Sequence, residues 1–175
     1  ATGAVPTNLG STAVTSITRA FNSLDNAVDT DTTDDASSSN YLATSDLVTN
    51  NYQLNFACYA DGPDTTSVDV LGWTTGSDNF IRIYTPIDPS EVGASQRHQG
   101  VLDATTAYTL DIPAEFGIQI TYTNHVWIDG IQLDMRDSSS AGVELQEYAD
   151  GTGGHRGRGE IRISNNIIVG NAGTD

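Results

Sequence analysis

The sequence predicts an all-β protein: a right-handed parallel β-helix of three short parallel sheets, with an α-helix capping its N-terminal end. Three observations predict it. From residue 52 onward, apolar residues alternate with polar ones in very short runs separated by turn residues. The runs repeat as a strand, sharp turn, strand, longer turn and strand, with loops of variable length. A single amphipathic segment precedes the first run.

Residues 1–15, ATGAVPTNLGSTAVT, carry Gly, Pro and small polar residues without a usable period. They read as a flexible arm or linker, and residues 16–175 as the β-helix domain. Within that domain, 16–28 are expected to form the capping helix and 52–175 the coils. In SITRAFNSLDNAV, Ile17, Phe21, Leu24 and Val28 share one face of a 3.6-residue period, and Ser16 is a candidate N-cap. So short a helix does not stand alone and must lie on an apolar surface. No second helix is expected. Residues 29–40 form an acidic, turn-rich loop. Asp29, Asp31, Asp34 and Asp35 are weak calcium candidates, since the loop glycine and bidentate Glu of a helix-loop-helix calcium site are missing.

The strand pairs follow in order: Leu54, Phe56 and Cys58; Val68 and Val70; Ile81 and Ile83; Tyr108, Leu110 and Ile112; Ile118 and Ile120. They continue with Val126 and Ile128, Ile131 and Leu133, Val143 and Leu145, Ile161 and Ile163, and Ile167 and Val169. Gly117-Ile-Gln-Ile120 matches Gly142-Val-Glu-Leu145 at an offset of 25 residues. Val126-Trp-Ile-Asp-Gly-Ile131 matches Ile161-Arg-Ile-Ser-Asn-Asn-Ile167, starting at an offset of 35. Val68-Asp-Val-Leu-Gly-Trp73 has the start of the second type. The insertion at 149–159, ADGTGGHRGRG, accounts for the difference between the offsets. A coil of this kind cannot bury its apolar residues alone; stacked coils make inward ladders about 4.8 Å apart. Gly130, Asn165 and Asn166 fall where a left-handed corner is required.

With GIQI and GVEL before them, VWIDGIQLD and IRISNNIIVGN resemble the right-handed parallel β-helix of the pectin-lyase-like superfamily. SITRAFNSLDNAV is similar to the short helix that plugs the N-terminal end there. CYADGPDTTSVDVLGWTTGSDNFIRIYTP resembles members found in bacterial, metagenomic and phage surface proteins. The resemblance covers about residues 16–175 and implies a fold shared by lyases, glycoside hydrolases, tailspikes and non-catalytic adhesins.

Composition narrows the function. The chain has 175 residues, 23 Asp and Glu against 7 basic residues, all Arg, and a formal charge of −16. Such a surface repels phosphate, so no nucleic-acid partner is expected. No apolar run approaches the ~20 residues of a membrane helix. One cysteine permits no internal disulfide. The absence of Lys, with abundant Thr, Ser, Asn and Asp, suits an extracellular, cell-surface or virion-surface protein. The chain begins with Ala and shows no leader pattern, which fits a mature chain or a piece of a longer one. It ends at GNAGTD directly after a strand, so either more coils or a neighbouring subunit is expected over the last one.

Polysaccharide lyases of the family use carboxylate-held calcium and an Arg or Lys base; hydrolases use two or three Asp or Glu. If the chain is an enzyme, Asp129, Asp134, Arg136 and Asp137 are the catalytic candidates, although the family motifs do not match residue by residue. Trp127, pointing outward between inward Val126 and Ile128, and Arg162 on the next coil are sugar-binding candidates. Arg156 and Arg158 of GTGGHRGRG are candidates for an assembly contact with acidic loops of a neighbour. Cys58 reads as a buried thiol, Trp73 as a core residue, and His98 and His125 as histidines without ligand spacing. No cofactor is expected, apart from the weak calcium reading. The favoured function is a non-catalytic structural module of a fibre, surface layer or virion appendage, associating head to tail through its ends. The alternatives are a polysaccharide lyase or hydrolase, or a carbohydrate-binding adhesin module.

Overall fold

A computed structural model describes residues 20–30, 37–113, 116–136, 141–146 and 159–170. Among these, ten strands of four residues each form three parallel sheets. Sheet I holds β1 (Leu54–Ala57), β3 (Ile81–Tyr84), β6 (Val126–Asp129) and β9 (Ile161–Ser164) in that order. Sheet II holds β4 (Thr109–Ile112), β7 (Gln132–Met135) and β10 (Ile167–Gly170). Sheet III holds β2 (Val68–Leu71), β5 (Ile118–Thr121) and β8 (Val143–Gln146). From β2 onward the chain visits the sheets in rotation, and between β1 and β2 the isolated bridge of Asp64 to Leu110 stands in for a sheet II strand, so each coil pairs only with the coils before and after it. This is a parallel β-helix.

Alternation sets what lies inside. Val126 stacks on Ile81 and under Ile161, Ile128 on Ile83 and under Ile163. Val68 stacks on Ile118, and Leu110 on Leu133. Central residues of these ladders are sealed: Ile81, Ile83, Leu110, Ile118, Val126, Ile128, Ile131 and Leu133 are all 0% exposed. Burying each such side chain contributes about 1.5–3 kcal/mol.

Both repeats show in the register. Ile118 pairs with Val143 and Val126 with Ile161. The repeat glycine has a packing reason: a Cβ on Gly117 would lie 2.5 Å from the Gly142 carbonyl oxygen and 2.7 Å from Leu133 Cδ2. Gly130 and Asn165 take the left-handed corner, with φ of 81° and 53°. Asn166 does not. Its side chain bridges two coils instead, donating to the Ile128 carbonyl and accepting from the Ile131 amide.

Several expectations need correction. The helix starts at Leu24, not at residue 16: α1 spans Leu24–Val28, and Ser23 is its N-cap, accepting from the Asn26 amide at 3.2 Å. Phe21 lies before the helix and packs edge-on against Tyr41. Ser16 and Ile17, like the 1–15 arm, lie outside the described residues. Two further helical turns exist, α2 (Ser38–Leu42) and α3 (Pro89–Val92), each capped by a Ser or Asp side chain in an otherwise turn-rich stretch. β2 belongs with β5 and β8, not with the strands it was matched to by its Val-Asp-Val start. Ile167 pairs with Gln132 rather than Ile131, because Asn166 occupies the position beside Ile131.

The two ends of the stack differ. At the first coil, Leu24, Ala27 and Val28 of α1, with Leu47 and Trp73, join the core. Trp73 Nε1 donates to the Val28 carbonyl at 2.7 Å. At the other end the ladders continue in register but emerge into solvent. Val143, Ile161 and Ile167 are half-buried, while Leu145, Ile163 and Ile168 are 56%, 47% and 48% exposed. Val143, Leu145, Ile161 and Ile163 stack inward as expected, whereas in β10 the inward residue is Ile168, on Leu133, and Ile167 and Val169 lie over Gln132 and Asp134 on the opposite face, one residue off the expected alternation. None of the inward positions is sealed, because no described residue covers that rung.

Candidate functional site

The outer face of sheet I gathers the most chemistry. Register places Asn55, Arg82, Trp127 and Arg162 in one row and Ala57, Tyr84, Asp129 and Ser164 in the next. Phe80 stacks on Trp127, with centroids 3.7 Å apart and planes at 19°. The Arg162 guanidinium sits 4.3 Å from the same indole centroid. Two groups this close to one centroid cannot share a face, so both faces of Trp127 are covered. Arg162 also pairs with Glu160 at 2.7 Å. Arg82 lies over the Tyr84 ring at 4.2 Å.

Asp129 ends β6 and is the hub of the second row. Its Oδ2 accepts from Arg97 at 2.6 Å and from Arg82 at 3.3 Å. Its Oδ1 accepts from Asn165 Nδ2 at 2.8 Å and Ser164 Oγ at 3.0 Å. Burial alone pushes this carboxyl up. The hydrogen bonds from Asn165, Arg97 and Ser164, with the Arg97 charge, outweigh burial and hold it below the ordinary aspartate value. A carboxylate with both oxygens engaged and its proton disfavoured is poorly suited to serve as a general acid.

Arg97 arrives on the long β3–β4 connection. It also donates to Thr85 Oγ1, and the next residue, His98, contacts the Asn165 carbonyl through Nε2 at 2.6 Å. The Gly100 amide donates to His98 Nδ1, so Nε2 carries the proton. The connection therefore straps the corner after β6 to the corner after β9. Gly130 makes room for it, because a Cβ there would stand 2.1 Å from Arg97 Nε.

The catalytic candidates do not converge. Asp129 is on the outside of sheet I. Asp134 is on β7 of sheet II, where Arg136 forms a two-pronged ion pair with Asp111. Asp137, Arg156, Arg158, Asp31, Asp34 and Asp35 lie outside the described residues. Asp29 follows α1, its amide donating to the Asp25 carbonyl. Among the described residues no three His, Cys, Asp or Glu side chains stand close enough to share a metal ion. No described helix is long and apolar enough to cross a membrane.

Sequence reasoning did not single out two buried polar residues. Asp64 is 8% exposed; its Oδ2 accepts from the Leu24 amide at 2.7 Å and from Tyr108 OH at 3.0 Å. Gln132 is 0% exposed and holds the segment before β4, donating to the Asp103 carbonyl and Thr109 Oγ1 and accepting from the Asp103 amide. The partners named here lie 23 to 44 residues away in the chain, so their long-range role has no local signal.

A groove of about 600 Å³ runs between residues 20–27 and residues 55–64, with Tyr108 in its wall. Its polar groups serve one another: Gln96 accepts from the Ala60 amide, and Asp64 is engaged as above. Cys58, also in the wall, is buried, and burial together with the Asp64 charge pushes its thiol up to about 12, which makes it a poor nucleophile.

Comparison with family models, curated proteins and solved structures finds no match to this chain.

Proposed function

We propose that this chain is a non-catalytic structural module, a stack of coils whose exposed last rung docks onto another protein rung. One observation carries the reading. All three inward ladders run sealed through the stack and surface together on β8, β9 and β10, where Leu145, Ile163 and Ile168 are about half exposed. Apolar side chains and unpaired strand edges at one face are what a further rung would cover. The dispersed carboxylates and the fully engaged Asp129 fit a scaffold better than a lyase or hydrolase. The acidic, lysine-free composition supports a place outside the cell, on a cell or virion surface, and the three-sheet coil supports kinship with the pectin-lyase-like superfamily.

Sedimentation velocity on the 175-residue chain tests the reading, alongside the triple variant Leu145→Thr, Ile163→Thr and Ile168→Thr. The wild-type chain is expected to associate as concentration rises. The variant should keep its melting temperature within a few degrees and remain monomeric. A wild-type chain that stays monomeric at millimolar concentration overturns the proposal.

The Arg82–Trp127–Arg162 row favours carbohydrate binding as a second reading. A sugar would have to displace Arg162 to reach the indole face. Titration of tryptophan fluorescence with neutral and acidic oligosaccharides, in wild type and in Arg162→Ala, checks it: binding that tightens in the variant supports it, and no response in either sinks it.

A further inference from the structure

We infer that residues 15–18, Thr-Ser-Ile-Thr, form a strand in the groove below β1, paired with β1 in parallel and turning Ile17 toward Phe56. These residues precede the described ones, and the groove lies at the opposite end of the stack from the last rung.

The rotation of the chain assigns this position. Asp64 bridges Leu110 of β4 and so holds the sheet II place in the coil of β1 and β2. The Leu24 amide donates to the Asp64 carboxylate, so the approach to α1 passes beneath sheet II. α1 then packs on β2, the first strand of sheet III, and Thr30 donates to the Leu71 carbonyl at the end of that strand. Residues 20–30 are therefore the later part of one more coil. In the coils that follow, the strand before the sheet II position belongs to sheet I. One step back from Ala20 lies beneath β1.

β1 is the edge of sheet I and pairs, among the described strands, with β3 alone. The Leu54 and Cys58 amides donate to the Phe80 and Tyr84 carbonyls on that side. By alternation the main-chain groups of Asn55 and Ala57 point the other way. Both residues line the groove, whose apolar wall is Phe21, Leu24, Ala27, Phe56 and Cys58. Ala20 belongs to the same wall, so the preceding residues are tethered at the groove itself. Such a tether gives a segment an effective concentration of about millimolar, which favours it over a strand offered by another molecule.

The residues suit a strand of this length and register. Val14, Thr15, Ile17 and Thr18 are β-branched, and residues 11–19 contain no Gly or Pro. Each described strand has four residues, and the tightest corners from sheet I to sheet II, 130–131 and 165–166, have two. With Arg19 and Ala20 as such a corner, Thr18 stands beside Ala57 and Ile17 beside buried Phe56. Ile17 then continues the inward ladder of sheet I by one rung.

Two measurements on the whole chain test the inference. Exchange at the Asn55 and Ala57 amides should be slow in dilute protein and faster by about tenfold or more in Ile17→Asp. Val5→Asp should leave it unchanged, and the amides of β6 and β7 should stay protected in both variants, which shows that they fold. In a Cys58→Ala background, Thr18→Cys with Ala57→Cys should oxidise to an intrachain disulfide, because neighbouring parallel strands lie about 4.8 Å apart, within bridging range. Thr18→Cys with Leu71→Cys, exposed on β2, should not. Free exchange at Asn55 and Ala57 at every concentration means that the groove takes no strand, and slowing only as concentration rises means that another copy supplies it. Either result overturns the inference, as does slow exchange that Ile17→Asp leaves unchanged, or a missing bridge between positions 18 and 57. Docking of the last rung stands or falls separately from all of them.

Discussion

Asp64→Ala removes an acceptor that ties the N-terminal cap to the coils. In the native protein one carboxylate oxygen receives the Leu24 amide, at the start of α1, and the Tyr108 hydroxyl; the other receives the Thr66 amide. The first two donors are buried and become orphans in the variant, at about 1–3 kcal/mol each. The Thr66 amide is only partly buried and recovers a water partner. The expected loss is therefore about 2–6 kcal/mol. Asp64→Asn keeps one carbonyl oxygen but turns an amine toward the remaining donors, and should lose about half as much. Urea unfolding followed by far-ultraviolet circular dichroism measures the total. Trp73, bonded to the Val28 carbonyl, reports whether the cap leaves first, in a Trp127→Phe background that removes the second indole. α1 has only five residues and cannot persist undocked, so the Trp73 signal should change at lower urea than the dichroism. An Asp64→Ala protein within about 0.5 kcal/mol of wild type refutes the reasoning, because burial would then not be isolating those donors from water.

Gly130→Ala should cost about 2–4 kcal/mol: roughly 1–2 for a side chain at φ 81°, the rest for pushing Arg97 off Asp129. In an Arg97→Ala background only the backbone part should remain, which a double-mutant cycle reads directly. Asp69→Asn should raise the melting temperature at pH 7. Burial, offset in part by a Thr121 hydrogen bond and aided by the Asp29 charge, lifts the Asp69 carboxyl above 3.8, so the folded protein binds this proton more tightly than the unfolded chain does. Stability from that group is present in full below the ordinary aspartate value and is lost as pH rises through the lifted one. The advantage of the variant should accordingly vanish at acid pH, as paired thermal melts would show.

The coil repeat was legible because its determinants are local. Gly117 and Gly142 stand where a Cβ would strike backbone or core, and the alternation that follows each fixes which side chains face in. Corner chemistry was legible at Gly130 and Asn165 for the same reason. The helix boundary was not. Ile17, Phe21, Leu24 and Val28 keep a helical period, yet the Ser23 side chain caps the chain at Leu24, and Phe21 is held by Tyr41 from another segment. The site was legible in part: Trp127 and Arg162 are neighbours as expected. Their mutual contact, and the third partner Phe80, depend on the turn before β3 and on which sheet each strand joins. Sequence spacing groups Asp129 with its near neighbours Asp134, Arg136 and Asp137, because its actual partners Arg82 and Arg97 lie 47 and 32 residues away and no local spacing points to them.

The central claim is that the last rung docks. Hydrogen exchange at the amides of β8, β9 and β10, followed over a range of protein concentrations, tests it most directly. Amides of these strands that point away from the preceding coil should exchange freely in dilute protein and gain protection as concentration rises, while amides of β6 and β7 stay protected throughout. Exchange in the last rung that is independent of concentration up to the millimolar range would contradict the account.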